Sequence, residues 1–217
     1  MLTRSKKRLL LSSRLYLILD RNSCYPSDVI SIFRRVGRIG VDLVQLRENT
    51  ACDRDFLRDA KAIKRICKEK GIIFIINNRL DIAQLAGADG LHLGQTDLPL
   101  KEVRKIFGKN RIVGVSCHNL TEALKAQSEG ADYIGIGPIF STTIKPNLKP
   151  IKLSSIKLIN QKIKIPFFAI GGINRSNINK VISYGAKRVA LCRAVCCAKN
   201  VKKAISELRS KINSARL

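Results

Sequence analysis

Near the middle of the chain, an apolar run at Tyr133, Ile134 and Ile136 breaks into Gly137 and Pro138, and Ser141, Thr142, Thr143 and Lys145 follow. Three hydroxyls and an ammonium in so short a space suit phosphate, which takes hydrogen-bond donors and a point charge. A glycine at the end of a strand lets backbone come close to a ligand. The stretch therefore reads as a strand that runs into an anion-binding loop. Similar groups follow other apolar runs. Asp20 ends 14–20, and Gln45, Arg47 and Glu48 end the run at 41–46. Asn77, Asn78 and Arg79 close 71–77, Gln95 and Asp97 follow 90–93, and Ser116, Cys117 and His118 close 112–116. Gly171 and Gly172 follow 166–170, while Cys192 and Arg193 follow 188–191.

These runs need a scaffold that gathers their ends, and a repeat in the sequence supplies one. GVDLVQL (40–46), GADGLHL (87–93), GADYIGI (130–136) and GAKRVAL (185–191) share a glycine, a small residue, a polar residue and then an apolar strand. Glycine in the left-handed region closes a helix, and a short apolar run after it fits a parallel strand buried on both faces. With two βα steps per copy, four copies imply eight strands. The expected fold is α/β, a single-domain (β/α)8 TIM barrel spanning 14–217. The other arrangement, an open doubly wound sheet, accounts less well for the count. Between the strands, Ser27 and Asp28 can cap one helix, 53–70 reads as a long amphipathic helix stopped by Gly71, and Asn119 can cap another. In such barrels the loops after strands seven and eight often bind phosphate through backbone N–H groups, a task that suits Gly171, Gly172 and Arg193.

At 217 residues the chain is short for this fold but long enough to bury a full core. Its net charge of +25 is far from ordinary, and no acid occurs between Asp132 and Glu207. That half should attract anions. Without tryptophan, with 5% aromatics and with no zinc-finger, RRM or KH pattern, nucleic acid is an unlikely partner; most of these lysines read as solvated surface, and small phosphorylated molecules account for a few. Seven cysteines, an odd number with no CxxC pair, argue for reduced thiols in a cytoplasmic setting rather than a disulfide frame or a zinc site. Residues 1–13 (MLTRSKKRLLLSS) are too weakly apolar for a secretory signal and read as a disordered basic arm, with a transit peptide as the other reading. No segment is long enough to cross a membrane. Self-association is left open.

Taken together, QLRE (45–48), INNR (76–79), GADGLHLGQTDLP (87–99), GVSCH (114–118), the stretch from GADYIGIGPIFST to Lys145 (130–145) and AIGGIN (169–174) resemble the thiamine phosphate synthase/TenI superfamily. The resemblance covers nearly all of the chain after the basic arm. It implies a transferase of thiamine biosynthesis that joins hydroxymethylpyrimidine diphosphate to thiazole phosphate and releases pyrophosphate. Such a reaction ionises a C–O bond, so cations and Mg2+ must hold the leaving diphosphate. By match to the family motifs, Gln45, Arg47 and Asn77 would hold the pyrimidine diphosphate. Ser116 and Lys145 would take its diphosphate end, and Asp97, with Asn78, the magnesium. Thr142, Gly172, Cys192 and Arg193 would take the thiazole phosphate.

The sequence departs from the family pattern in three places. Asn49 stands where a lysine is usual, Asn78 where a second acid is usual, and Ile144 where a threonine often precedes the loop lysine. An amide ligates magnesium without charge, so metal affinity should fall. These losses raise a second reading, a TenI-like thiazole phosphate tautomerase centred on His118 as acid/base, and a third, a catalytically weakened barrel that only binds phosphorylated ligands. Gln95, Asp97, Thr142 and Lys145 favour the synthase.

Overall fold

The computed structural model describes residues 4–24, 26–37 and 39–214. Eight parallel strands form a closed barrel in sequence order. They are β1 (Leu15–Asp20), β2 (Leu43–Arg47), β3 (Ile73–Asn77), β4 (Gly90–Leu93), β5 (Ile112–Cys117), β6 (Tyr133–Ile136), β7 (Phe167–Ala169) and β8 (Val189–Leu191). Closure comes from β1 pairing with β8, where Tyr16 faces Ala190. Helices alternate with the strands, the longest being Asp53–Lys70, which Gly71 ends in the left-handed region at φ 65°. Asp28 and Asn119 cap their helices by accepting hydrogen bonds from the backbone of Ser31 and Glu122.

The repeat has a physical basis at both its conserved points. Gly40, Gly87, Gly130 and Gly185 all take positive φ, between 62° and 98°, which a side chain would resist. The polar residue two places later has a use that the sequence reading did not find. Asp42 accepts the N–H of Leu15 at 2.8 Å, Asp89 that of Phe74 at 3.1 Å, and Asp132 that of Val113 at 2.8 Å. Each carboxylate thus satisfies an N–H at the start of a neighbouring strand, the first residue of β1 and the second of β3 and β5, and each is paired with a cation: Arg209, Lys64 and Arg104 respectively. In the fourth copy the position holds Lys187, which cannot accept.

One apolar cluster fills the space between strands and helices, with Phe33, Phe74, Ile63 and Val103 at its centre. A second lies inside the barrel and includes Tyr16, Leu43, Ile75, Tyr133 and Phe168. Leu10 joins this inner cluster, which corrects the expectation for 1–13. Over Arg4–Ser12 the chain is a helix, not a disordered arm. The lower mouth of the barrel would otherwise leave apolar side chains against water, and Leu10, 2% exposed, covers them. Lys6 pairs with Asp89 at 2.9 Å, and Arg188 donates to the carbonyl of Leu11 at 2.8 Å, so the helix is tied down on two sides. Residues 1–3 lie outside the described residues. Among the described residues no helix is long and apolar enough to cross a membrane.

Candidate active site

The C-terminal ends of the strands surround a cavity of about 470 Å³. Gln45, Arg47, Asn77, Ser116 and His118 line it from β2, β3 and β5. Thr142, Lys145, Gly172, Cys192 and Arg193 line it from the loops after β6, β7 and β8. Residues separated by up to 148 positions therefore share one hollow (Gln45 to Arg193). The two magnesium candidates, Asp97 and Asn78, are not among its lining residues.

Arg47 is the best-held cation. It lies opposite Asp20 in the β1–β2 register and forms an ion pair with it. Asp20 is fixed in turn by the N–H and hydroxyl of Ser23, at 3.0 and 2.9 Å. With its amide oxygen turned toward the guanidinium, Asn49 accepts from Arg47 Nη1 and Nη2 at 3.1 and 2.8 Å. Asn49, where the resemblance leads us to expect a lysine, therefore orients the neighbouring arginine, a role that loss of charge alone does not suggest. Glu48 points elsewhere. Burial works against its charge, but hydrogen bonds from Arg21, Ala51 and Thr50 outweigh that and hold its pKa down to about 2. Its carboxylate ties the β2 loop together, accepting from the Thr50 and Ala51 N–H groups at 2.7 and 2.9 Å. Arg79 is also absent from the rim: it pairs with Asp53 and Asp81 at 2.7 and 2.6 Å.

Lys145 reaches the cavity from the exposed β6 loop. Desolvation and then the nearby Arg47 guanidinium lower its pKa, while Asp97 acts the other way, so the three charges are neighbours. Asp97 accepts the N–H of Gly94 at 2.6 Å. Asn78 takes the left-handed conformation at φ 48°, which asparagine tolerates, and its N–H donates to the carbonyl of His92 at 2.9 Å. Asp20 and Glu48 are both committed to arginines, Arg47 and Arg21 respectively. Among the described residues no three His, Cys, Asp or Glu side chains form a site that would hold a metal alone.

The β6, β7 and β8 loops are built against one another. Gly137 lines the cavity, and its missing side chain also permits close packing, since a Cβ there would lie 2.0 Å from the carbonyl oxygen of Ile170. The N–H groups of Ile139 and Phe140 donate to the carbonyls of Ile170 and Gly171, at 2.8 and 3.0 Å. Gly172, at φ 62°, carries a position where a Cβ would meet the Ser141 carbonyl oxygen at 2.6 Å. Arg193 crosses from β8 to hydrogen-bond the hydroxyl of Thr143. His118 braces the same region, its Nδ1 donating to the carbonyl of Gly137 at 2.5 Å.

Below the rim, Gln45 and Ser116 are joined by three polar residues that sequence reasoning missed, Tyr16, Tyr133 and His92. Gln45 Nε2 is 2.6 Å from the Tyr16 hydroxyl, which is 2.8 Å from that of Tyr133. His92 joins Tyr133 to Ser116 through Nδ1 at 3.0 Å and Nε2 at 2.9 Å. The signal lay in the register, since His92 is opposite Asn77 on β3 and Gly114 on β5, but Tyr133 looked like one more apolar strand residue.

A family model described as thiamine monophosphate synthase matches residues 15–195. The chain belongs to the thiamine monophosphate synthase family. A thiamine-phosphate synthase of Shouchella clausii is 40% identical over 203 residues, covering 93% of this chain and 97% of the relative. One from Fusobacterium nucleatum is 40% identical over 200 residues, covering 92% and 97%. Among solved structures, a thiamine phosphate pyrophosphorylase from Pyrococcus furiosus superposes with a TM-score of 0.87 at 32% identity, covering 97% of this chain and 98% of that one. A 3-hexulose-6-phosphate synthase, at 19% identity and a TM-score of 0.64, shares the fold alone.

Proposed function

We propose that this protein is a thiamine phosphate synthase, which joins hydroxymethylpyrimidine diphosphate to thiazole phosphate and releases pyrophosphate. The observation that carries the reading is the convergence of Arg47, Lys145, Ser116 and Gly172 on one cavity in a chain of this family. Arg47, preoriented by Asp20 and Asn49, and Lys145 would bind the diphosphate; Ser116 would donate a hydrogen bond to it. Charge builds on the diphosphate as its bond to the pyrimidine methylene breaks, so donors fixed in advance act most strongly on the transition state. Gln45 and Asn77 would orient the pyrimidine. Backbone at Gly172, with Thr142 and the turn at Cys192 and Arg193, would hold the thiazole phosphate beside it, so that the second ring meets the cationic pyrimidine before water does.

Magnesium commonly takes one or two carboxylates and completes its shell with substrate oxygens and water. Asp97 and the amide oxygen of Asn78 fit that donor set in part, and would hold the ion with the substrate's help. Once bound, it supplies positive charge to the departing diphosphate. Seven unpaired cysteines suit a reducing cytoplasm.

The test is direct. Purified protein given both substrates and millimolar magnesium should release pyrophosphate and form thiamine phosphate. If thiazole phosphate instead isomerises and no thiamine phosphate appears, the tautomerase reading replaces this one.

A further inference from the structure

We infer that Tyr16, Tyr133 and His92 form a one-way hydrogen-bond relay that makes Ser116 accept from His92 and donate its own proton into the cavity. The inference rests on the proposed contact between Ser116 and the diphosphate, and adds three positioning residues to that site.

The direction follows from what each group can do. The amide nitrogen of Gln45 donates only, so the Tyr16 oxygen must accept from it. Tyr16 then has its own proton to place, and the Tyr133 oxygen is the partner within reach, at 2.8 Å. Tyr133 passes its proton on to His92 Nδ1 at 3.0 Å. An imidazole that accepts at Nδ1 carries its proton on Nε2, and that N–H meets Ser116 Oγ at 2.9 Å. Ser116 Oγ, already an acceptor, has its proton left for the cavity it lines. Among the described residues the single buried side-chain N or O without a partner is Arg188 Nε, so every member of the relay is satisfied. Any break would strand a buried hydroxyl.

The surroundings keep the relay neutral and still. His92 is 6% exposed, and Tyr16 and Tyr133 are 2% and 0% exposed. Burial, then the Lys145 charge, pushes the His92 pKa down to about 3, and burial raises both tyrosines well above their usual range. Tyr16, Tyr133 and Phe168 pack edge to face with centroids 5.2 to 5.8 Å apart. The Tyr133 ring occupies space that only a glycine leaves open, since a Cβ on Gly114 would fall 2.0 Å from its Cζ. A serine held as a donor meets an anion with its proton; the reversed chain would turn an oxygen lone pair toward the same charge. Reversal requires the Gln45 amide to rotate so that its oxygen faces Tyr16.

Because the chain has only two histidines, 92 and 118, nitrogen-15 imidazole spectra of the unmodified protein read the tautomer directly. The expected result is a single His92 species protonated at Nε2, identified by its loss in His92→Gln. A species protonated at Nδ1 would overturn the inference, with or without turnover. In Tyr133→Phe the Nδ1 partner is gone, so His92 should become a mixture of tautomers and kcat should drop roughly tenfold, the value of one hydrogen bond, while KM for the diphosphate moves much less. His92→Gln, which retains an N–H for Ser116, should keep more activity than His92→Phe; equal loss in both sinks the relay. Absence of thiamine phosphate from the unmodified protein would refute the proposed function, and the tautomer spectrum would still decide the relay's direction.

Discussion

Asp20 and Arg47 stand side by side at the ends of β1 and β2, and their ion pair aims the guanidinium at the cavity before any substrate arrives. Asn49 adds two acceptor contacts to the same guanidinium at 2.8 and 3.1 Å. Asn49→Ala should therefore lower kcat/KM for the pyrimidine diphosphate by roughly three- to tenfold, about the worth of one or two such bonds, and leave the KM for thiazole phosphate unchanged. Steady-state kinetics varying each substrate in turn would check it. Equal effects on both substrates would mean that Asn49 does not act through Arg47.

Lys145 should matter more, because it adds a charge rather than aiming one. Lys145→Ala is expected to reduce kcat by about 10²- to 10³-fold, the usual cost of losing one preorganised donor. Burial and Arg47 lower its pKa, so its cationic form is lost at a pH below the ordinary lysine value. The alkaline limb of the kcat/KM profile should accordingly fall below that value and move upward in Lys145→Arg. An unmoved limb would assign it to another group.

Asn78→Asp supplies the acid that the family pattern leads one to expect. With a second carboxylate the magnesium concentration for half-maximal rate should fall, read by metal titration of pyrophosphate release. Because Asn78 is at φ 48° and outside the cavity lining, the same experiment locates it. An unchanged titration would show that the position does not meet the metal.

Glu48 predicts a pH effect on stability. Its folded pKa is depressed to about 2 from an ordinary 4.5, so the charged form stabilises the fold at pH above about 4.5. That contribution is lost as pH falls from 4.5 toward 2. Glu48→Gln should unfold at lower denaturant concentration at pH 7 and lose less stability than the parent on acidification to pH 3. Parallel curves for the two proteins would rule Glu48 out as a stabilising carboxylate.

What the sequence determined by itself was periodic or local. The glycine-led repeats at 40, 87, 130 and 185 carried the eight-strand count, since left-handed closure and apolar runs are written in neighbouring residues. The rim residues were legible for the same reason: strand ends in a parallel barrel share one face, so Arg47, Ser116, Lys145 and Gly172 had to meet. Whatever depended on partners far apart in the chain stayed hidden. Leu10 looked exposed until the barrel's inner cluster gave it a place. Asn49 looked like a lost charge until Arg47 came within hydrogen-bonding range. The polar line from Gln45 to Ser116 joins β1, β2, β4, β5 and β6, and only closure brings those strands round one axis. Hydrogen bonds act over about 3 Å and carry no trace of sequence separation, so their pairing was decided by the tertiary structure alone.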